Sequence, residues 1–300
     1  MHDRPLVHRD DGFGRWWAVA QWTSTLEAYV FPTLGPMQVA KIATADVVGA
    51  LKPIWSQKPE TANRVRQRIE AVLDYASALG IREGDNPARW RGHLDNLLPK
   101  PTKVRAVQHH PALPHADISE FMSALSTRKG VSARALTFTI LTAARSGETR
   151  GMTWAEVDLD NGVWTIPAQR MKAAKEHSVP LTLTAIAQLG EQGAETDLVF
   201  GSETKAGKPI SDMSMTALLR RMEYDNITVH GFRSTFRDWA GETTSFPREV
   251  IEAALAHGIK DKAEAAYARS DLFDKRRDLM QAWSSMTAAS KFSSNVISMN

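Results

Sequence analysis

The densest chemistry in the chain lies in its last third, where His230-Gly231-Phe232-Arg233 is followed by His257 and, ten residues on, by Tyr267. A tyrosine is a poor nucleophile at neutral pH, its phenol having an ordinary pKa of about 10. An attacking tyrosine therefore needs nearby cations and a proton acceptor, and His-x-x-Arg can supply both. If residues 230–240 are helical, Phe232, Phe236 and Trp239 fall at i, i+4 and i+7 and form a core stripe, with Arg233 and Arg237 on other parts of the surface. An arginine held by that packing presents a planar fork of donors matched to two phosphate oxygens. Alone, His-x-x-Arg reads more simply as an ordinary capped helix start.

Two upstream stretches change that reading. Leu136, Ile140, Leu141 and Ala144 carry a helical apolar pattern that ends at Arg145-Ser146-Gly147-Glu148. Arg145 therefore sits at a helix end, with Gly147 free to turn the backbone and Glu148 able to hold a neighbouring cation. Further on, Trp164-Thr165-Ile166-Pro167 and Ser178-Val179-Pro180-Leu181 read as two short strands, with Lys172 at or near the tip of their polar connection.

In this order, an arginine in Ala-Arg-x-Gly-Glu, a hairpin lysine ahead of Val-Pro-Leu, His-x-x-Arg, a second histidine and a tyrosine resemble the catalytic domain of the tyrosine recombinases, the phage-integrase family. Asn86-Pro87-Ala88-Arg89-Trp90-Arg91-Gly92-His93-Leu94, Ala254-Leu255-Ala256-His257, and Lys275-Arg276-Arg277 with Met280-Gln281-Ala282-Trp283 resemble more narrowly the integrases of prophages and genomic islands. The resemblance runs over about residues 14–287. It implies a mainly α fold: an N-terminal helical core-binding (SAM-like) domain, then a mostly helical catalytic domain with a small β-hairpin or sheet.

The same resemblance implies site-specific recombination through a 3′-phosphotyrosyl intermediate, integrating or excising a prophage or genomic island without metal, ATP or other cofactor. Tyr267 would attack a backbone phosphate, and Arg145 and Arg233 would clamp the non-bridging oxygens where charge builds up. His257 would add a hydrogen bond, Lys172 would protonate the leaving 5′ oxygen, and His230 would accept the phenolic proton. Glu148 would support the clamp. Tyr29 and Tyr75 belong to helix patterns of the first domain and Tyr224 lacks a basic flank, which leaves Tyr267 among the four tyrosines. The rivals are a catalytically degenerate DNA-binding regulator, a type IB topoisomerase that reseals the strand it cuts, and, least favoured, a metal nuclease.

Three hundred residues suffice for two domains with cores of their own. No apolar run approaches the roughly 20 residues of a membrane-spanning helix, and no secretory signal opens the chain. Zero cysteines exclude disulfides and cysteine–zinc sites and suit a reducing cytoplasm. The net charge of +3 is too small to identify a nucleic-acid partner, so a DNA surface must come from how charges are arranged on the fold.

In chain order, residues 1–13 read as a disordered start, 14–98 as the core-binding domain, 99–112 as a basic proline-rich linker, 113–287 as the catalytic domain and 288–300 as a tail. In the first domain a helix rich in tryptophan ends at Phe31-Pro32. A second starts at a Thr44 N-cap and is bent or shortened at Pro53. A third, after Pro59, buries Val65, Ile69, Val72, Leu73, Ala76 and Leu79 before Gly80, and a short helix spans 86–98. Arg64, Arg66 and Arg68 on the third helix are candidate DNA contacts, as are Lys100, Lys103 and Arg105 in the linker and Arg220 and Arg221 on a helix after Ser211. His109, His110 and His115 lack the carboxylate or cysteine pattern of a metal site.

Relatives in the genomic-island branch usually carry a further arm-binding domain that the stretch before residue 14 is too short to form, so the chain is read as a fragment or as an enzyme of core sites alone. The implied partners are double-stranded attachment-site DNA, accessory DNA-bending or excision factors, and three further copies in a homotetramer on DNA from a free monomer. The implied setting is the bacterial cytoplasm and nucleoid. Leu272, Met280 and Trp283 are read as offering one surface for such a ring, and residues after about 284, including Val296-Ile297, as acting on a neighbouring subunit.

Overall fold

A computed structural model describes residues 14–100, 111–257 and 271–288, with side chains from residue 21 onward. The chain divides into two units, 1–109 and 110–300. The described residues are mainly helical, with one small sheet among them. Among the described residues no helix is long and apolar enough to cross a membrane.

The first unit holds α1 (Gly14–Tyr29), α2 (Phe31–Leu34), α3 (Thr44–Trp55) and α4 (Pro59–Ala78). Pro32 lies in the first turn of α2, where a missing N–H costs no helix bond. The cap of α3 is Ala43, one residue earlier than expected, and its amide donates to Asp46 Oδ2 at 2.9 Å. Thr44 instead pairs through its hydroxyl with His93 Nε2 at 2.9 Å. The helix continues through Pro53 to Trp55.

On α4 the buried stripe is Ala62, Val65, Ile69, Leu73 and Ala76, packed with Val47, Leu51 and Trp55 of α3. Val72 and Leu79 lie at the edge of that stripe and are 43% and 56% exposed, against expectation. Gly80, at φ 70, ends the helix in a left-handed turn that closes Ile81 N–H onto Ala76 O at 3.0 Å. Residues 86–98 are turns and a single 3-10 turn at Leu94–Asn96 rather than the expected helix. Asn86 holds this stretch through its side-chain amide, which donates to Glu70 O at 2.8 Å, while its carbonyl accepts the Ala88 amide at 2.9 Å.

Two of the three arginines on α4 are not available to DNA. Arg66 is buried, donating to Glu70 Oε2 at 2.6 Å and to Ala88 O at 2.8 Å and lying over the Trp90 ring. Trp90 in turn stacks on Trp55 with centroids 5.7 Å apart. Arg68 is buried against α1, donating to Gln21 O at 2.7 Å and to the Thr25 hydroxyl, over the Trp22 ring. A helix wheel alone gives these positions to solvent; α1 and the 86–98 turns take them. Arg64 remains exposed.

The second unit holds α5 (Ile118–Ser126), α6 (Val131–Thr142), α7 (Ser146–Arg150), β1 (Val157–Asp158), β2 (Val163–Ile166), β3 (His177–Pro180), α8 (Leu183–Ile186), α9 (Ser214–Arg221), α10 (Gly231–Thr243), α11 (Arg248–Ala254) and α12 (Phe273–Ala288). The strands form an antiparallel sheet in the order β1-β2-β3, with Trp164 opposite Val179 and Ile166 opposite His177. Phe138 of α6 joins the sheet to the helical core, 5.3 Å from the Trp164 ring and 5.4 Å from Phe200.

The last helix belongs to its own unit. Trp283 is fully buried, packs 5.0 Å from Trp239 and edge-on to Phe236, and donates its indole N–H to Ile140 O at 2.8 Å. Met280 is buried beside it, and the Ser119 hydroxyl donates to Met286 O at 2.8 Å. The expectation that Met280 and Trp283 face a neighbouring subunit is thus corrected: these apolar groups close a core within the chain. Residues 289–300 lie outside the described residues.

The arginine contacts give a stability prediction. Arg66→Ala should lower unfolding free energy by about 2–3 kcal/mol, because it leaves the Glu70 carboxylate and the Ala88 carbonyl without their buried donor. Arg64→Ala should stay within about 0.5 kcal/mol of the parent. Urea unfolding followed by tryptophan fluorescence compares the two.

Candidate active site

The site is built outward from α10. This helix is seated on residues 111–113: the Thr228 amide donates to Pro111 O at 3.1 Å and the Thr235 hydroxyl to Leu113 O at 2.6 Å. A side chain at position 231 would run into the Pro111 carbonyl, so glycine there allows the approach. Phe232, Phe236 and Trp239 are buried on one face. Arg233 was expected on the surface but is only 6% exposed.

Its guanidinium reaches between two helix ends. One terminal nitrogen donates to Ala143 O just past α6, and the other to Leu255 O just past α11 at 2.6 Å. Carbonyls at helix C-termini lack helical partners and carry partial negative charge, so a cation between two of them is held firmly. Burial pushes the Arg233 pKa down to about 10, with Arg145 acting in the same direction and Glu148 and Glu252 against it. The group is still a cation at neutral pH. Two carbonyls take two of its five N–H donors, leaving others for an anion.

Two residues past each of these carbonyls stands another candidate residue. After Ala143 comes Arg145, whose Nη1 meets Glu148 Oε1 at 2.7 Å while its amide donates to Glu148 Oε2 at 2.8 Å. Glu148 is buried, so one carboxylate fixes both the backbone and the side chain of Arg145. The left-handed residue that turns the chain here is Ala143, at φ 49, and not Gly147, which lies inside α7. That conformation costs alanine roughly 1 kcal/mol. After Leu255 comes Ala256, also at φ 49, and then His257. His257 Nε2 is 3.3 Å from the Arg233 guanidinium, and its Nδ1 is 2.5 Å from Glu252 Oε2.

The lysine sits on the long β2–β3 connection, exposed, two residues after an anchor that sequence reading missed. Arg170 binds the Glu156 carboxylate and the Glu148 carbonyl, which ties this connection to α7. A Cβ at Gly151 would come within 3.0 Å of the Arg170 guanidinium, so glycine leaves it room.

At the base of the same hairpin, His177 is mostly buried opposite Ile166. Burial pushes its pKa down to about 4, with Arg276, Arg145 and Arg233 adding to the effect and Glu148 opposing it. Arg276, 1% exposed, donates to Ser178 O at 2.6 Å and to Asp271 O and Oδ2 at 2.8 Å each. The chain is thereby pinned to β3 four residues beyond Tyr267.

Arg145, Glu148, Arg233 and His257 are thus brought together. His230 is exposed at the start of α10, one turn before Arg233. Lys100, Arg220 and Arg221 are exposed, whereas Tyr267, Lys103 and Arg105 lie outside the described residues. Of the other tyrosines, Tyr224 packs edge-on to Phe121 at 4.9 Å, Tyr29 meets Lys58 at 3.2 Å, and Tyr75 is exposed. Among the described residues no group of three or more His, Asp or Glu is placed to hold a metal ion. Arg170 and His177 escaped the sequence reading, and Arg276 was quoted only within a motif, because each acts in a contact between separate elements; Glu252, five residues before His257, had a local cue.

The buried histidine makes stability depend on pH. As pH falls through the ordinary histidine range near 6.5, the unfolded chain takes up a proton that folded His177 refuses, so stability is full above about 6.5 and drains away toward pH 4, by up to about 3 kcal/mol. Subtracting the denaturation curve of His177→Gln from that of the parent should isolate this loss. A difference that stays flat from pH 7 to 4.5 would show that the imidazole titrates normally.

The chain is similar to several known proteins. The phage integrase family model matches residues 111–272, and the phage integrase central domain model matches residues 15–93. The chain is 32% identical over 280 residues to an integrase of Enterobacteria phage P4, covering 86% of this chain and 62% of that protein. It is 30% identical over 300 residues to prophage integrase IntA of Escherichia coli (strain K12), covering 94% and 70%. The chain thus spans less than two thirds of the phage P4 integrase. In fold it is similar to a lambda integrase dimer bound to a COC' core site, with TM-score 0.61, 14% identity, and 83% and 90% of the two chains covered. It is likewise similar to the Tn1549 transposon integrase in complex with circular intermediate DNA, at TM-score 0.59 and 16% identity over 91% and 95%. With a family model running through Arg145, Arg233 and His257, and with relatives at this level of identity, the chain belongs to the phage integrase family of tyrosine recombinases.

Proposed function

We propose that this chain is a site-specific DNA recombinase that integrates or excises a prophage or genomic island in the bacterial cytoplasm, acting on attachment-site DNA. The observation that carries this reading is the convergence of Arg145, Arg233 and His257, each fixed through a helix end before any anion arrives. Preorganised donors of this kind need no rearrangement when negative charge grows on the non-bridging oxygens, which is where electrostatic catalysis is strongest.

In the proposed reaction the Tyr267 oxygen attacks phosphorus as the bond from phosphorus to the 5′ oxygen breaks. The phenolic proton passes to His230, and Lys172 gives a proton to the departing 5′ oxygen. The product is a 3′-phosphotyrosyl bond and a free 5′-hydroxyl, so a second strand's hydroxyl can reverse the step with no outside energy. The hairpin anchor at Arg170 supports the lysine's role, because it ties the lysine's connection to the same short helix that orients Arg145. Exchange of four strands calls for four subunits, and the DNA contacts proposed for the assembly are Arg64, Lys100, Lys103, Arg105, Arg220 and Arg221.

The test uses nicked duplexes cut from the junction between the genomic element that carries this sequence and its flanking chromosome. The wild-type chain should form a covalent adduct that resists denaturation. Tyr267→Phe should abolish the adduct while keeping non-covalent binding within about threefold, since a hydroxyl is lost and the clamp remains. An adduct that persists, or that maps to Tyr224, sinks the assignment.

The acid can be tested separately. Lys172→Ala should slow adduct formation on ordinary DNA by about a hundredfold or more and have little effect when the 5′ bridging oxygen is replaced by sulfur, a leaving group that needs no proton. Equal losses on both substrates would remove Lys172 from that role.

A further inference from the structure

The recombinase reading assigns no task to Glu252, yet this residue has a defined place beside the clamp. It lies on α11, five residues before His257, with its side chain 25% exposed. Its Oε2 is 2.5 Å from His257 Nδ1, and its backbone carbonyl accepts the His257 amide at 3.0 Å. Its other oxygen takes Arg237 Nε at 2.9 Å and Arg237 Nη2 at 2.7 Å, with Arg248 at 3.9 Å. On the far side of the imidazole is Arg233, and beyond Arg233 are Arg145 and Glu148.

We propose that Glu252 is the positioning residue for His257, holding a proton on Nδ1 so that Nε2 is always the nitrogen turned toward Arg233 and the anion it binds. The reasoning is one of donors and acceptors. An ionised carboxylate can only accept, so a 2.5 Å contact with Nδ1 requires a hydrogen on that nitrogen. Burial acts to raise the Glu252 pKa, but the hydrogen bonds and charges of His257 and Arg237 outweigh it and keep the carboxylate below its ordinary range. With Nδ1 committed, a neutral ring offers the Nε2 lone pair to the Arg233 N–H at 3.3 Å, and a protonated ring offers Nε2–H to a phosphate oxygen. Without Glu252 the ring is free to place its single hydrogen on Nε2 when neutral, or to turn over. The same device holds Arg145 on the other side of Arg233, where Glu148 is the carboxylate. This inference rests on the recombinase reading for its kinetic consequence but not for the tautomer.

Two measurements test it. In the full chain with nitrogen-15-labelled histidine, long-range proton–nitrogen correlation at pH 8 should show His257 as the Nδ1–H tautomer in wild type and shifted to Nε2–H in Glu252→Ala. On nicked junction DNA, Glu252→Ala and Glu252→Gln should slow adduct formation roughly tenfold to a hundredfold, with no further loss when Glu252→Ala is combined with His257→Ala. Arg237→Ala should change the rate less than about threefold. A wild-type His257 already in the Nε2–H form overturns the proposal. So does a Glu252→Ala loss that persists undiminished in the His257→Ala background, or one that Arg237→Ala reproduces. If wild type forms no adduct, the recombinase reading fails instead, and the tautomer measurement decides the role of Glu252 alone.

Discussion

A single guanidinium, that of Arg233, lies between the ends of two helices that are far apart in sequence. Its bonds to Ala143 O and Leu255 O fix where α6 and α11 stop relative to each other. Arg145 leaves from the first of these ends and His257 from the second, each after one more residue. The mutual placement of the three groups therefore depends on backbone contacts and not on flexible side chains meeting across a cleft. Breaking that tie would let both helix ends drift, and Arg145 and His257 with them.

Holding positive groups together carries an electrostatic penalty, and the fold meets it with nearby carboxylates and carbonyls. Glu148 neutralises Arg145, Glu252 lies beside His257, and helix-end carbonyls face Arg233. Burial is the main reason that the pKa values of Arg233 and His177 are lowered, and Arg145 pushes both in the same direction. His177, neutral at pH 7, adds no further positive charge there.

Much of this was legible in the chain. The helical stripe Phe232, Phe236 and Trp239 and the two strands around Lys172 follow from periodicity, because one face of each element meets one core. Periodicity failed where a second element covers the outer face. Arg66 and Arg68 look solvated on a helix wheel but are claimed by the 86–98 turns and by α1. Arg233 looks like a surface fork but is drawn inward by two carbonyls whose positions only the tertiary fold sets. The left-handed turn at Ala143 was hidden for another reason: glycine is the residue that advertises such a turn, and here a nearby glycine, Gly147, does not make it. Helix and strand faces were therefore easier to read than the contacts that hold Arg145, Arg233 and His257 in place.

Those contacts share a pattern that reaches the residues just after Tyr267. Arg170 ties down the connection two residues before Lys172, and Arg276 ties down Asp271 four residues after Tyr267. Both anchors are arginines that bind a backbone carbonyl on another element, Glu148 O in one case and Ser178 O in the other. Because Ser178 follows His177 on β3, the strand that returns from the lysine also receives the chain that returns from the tyrosine. Asp271 is thus joined to β3 through Arg276, which binds both Asp271 and the Ser178 carbonyl. Both stretches are therefore held by arginine contacts to backbone carbonyls, which do not depend on the side chain of the residue that supplies the carbonyl.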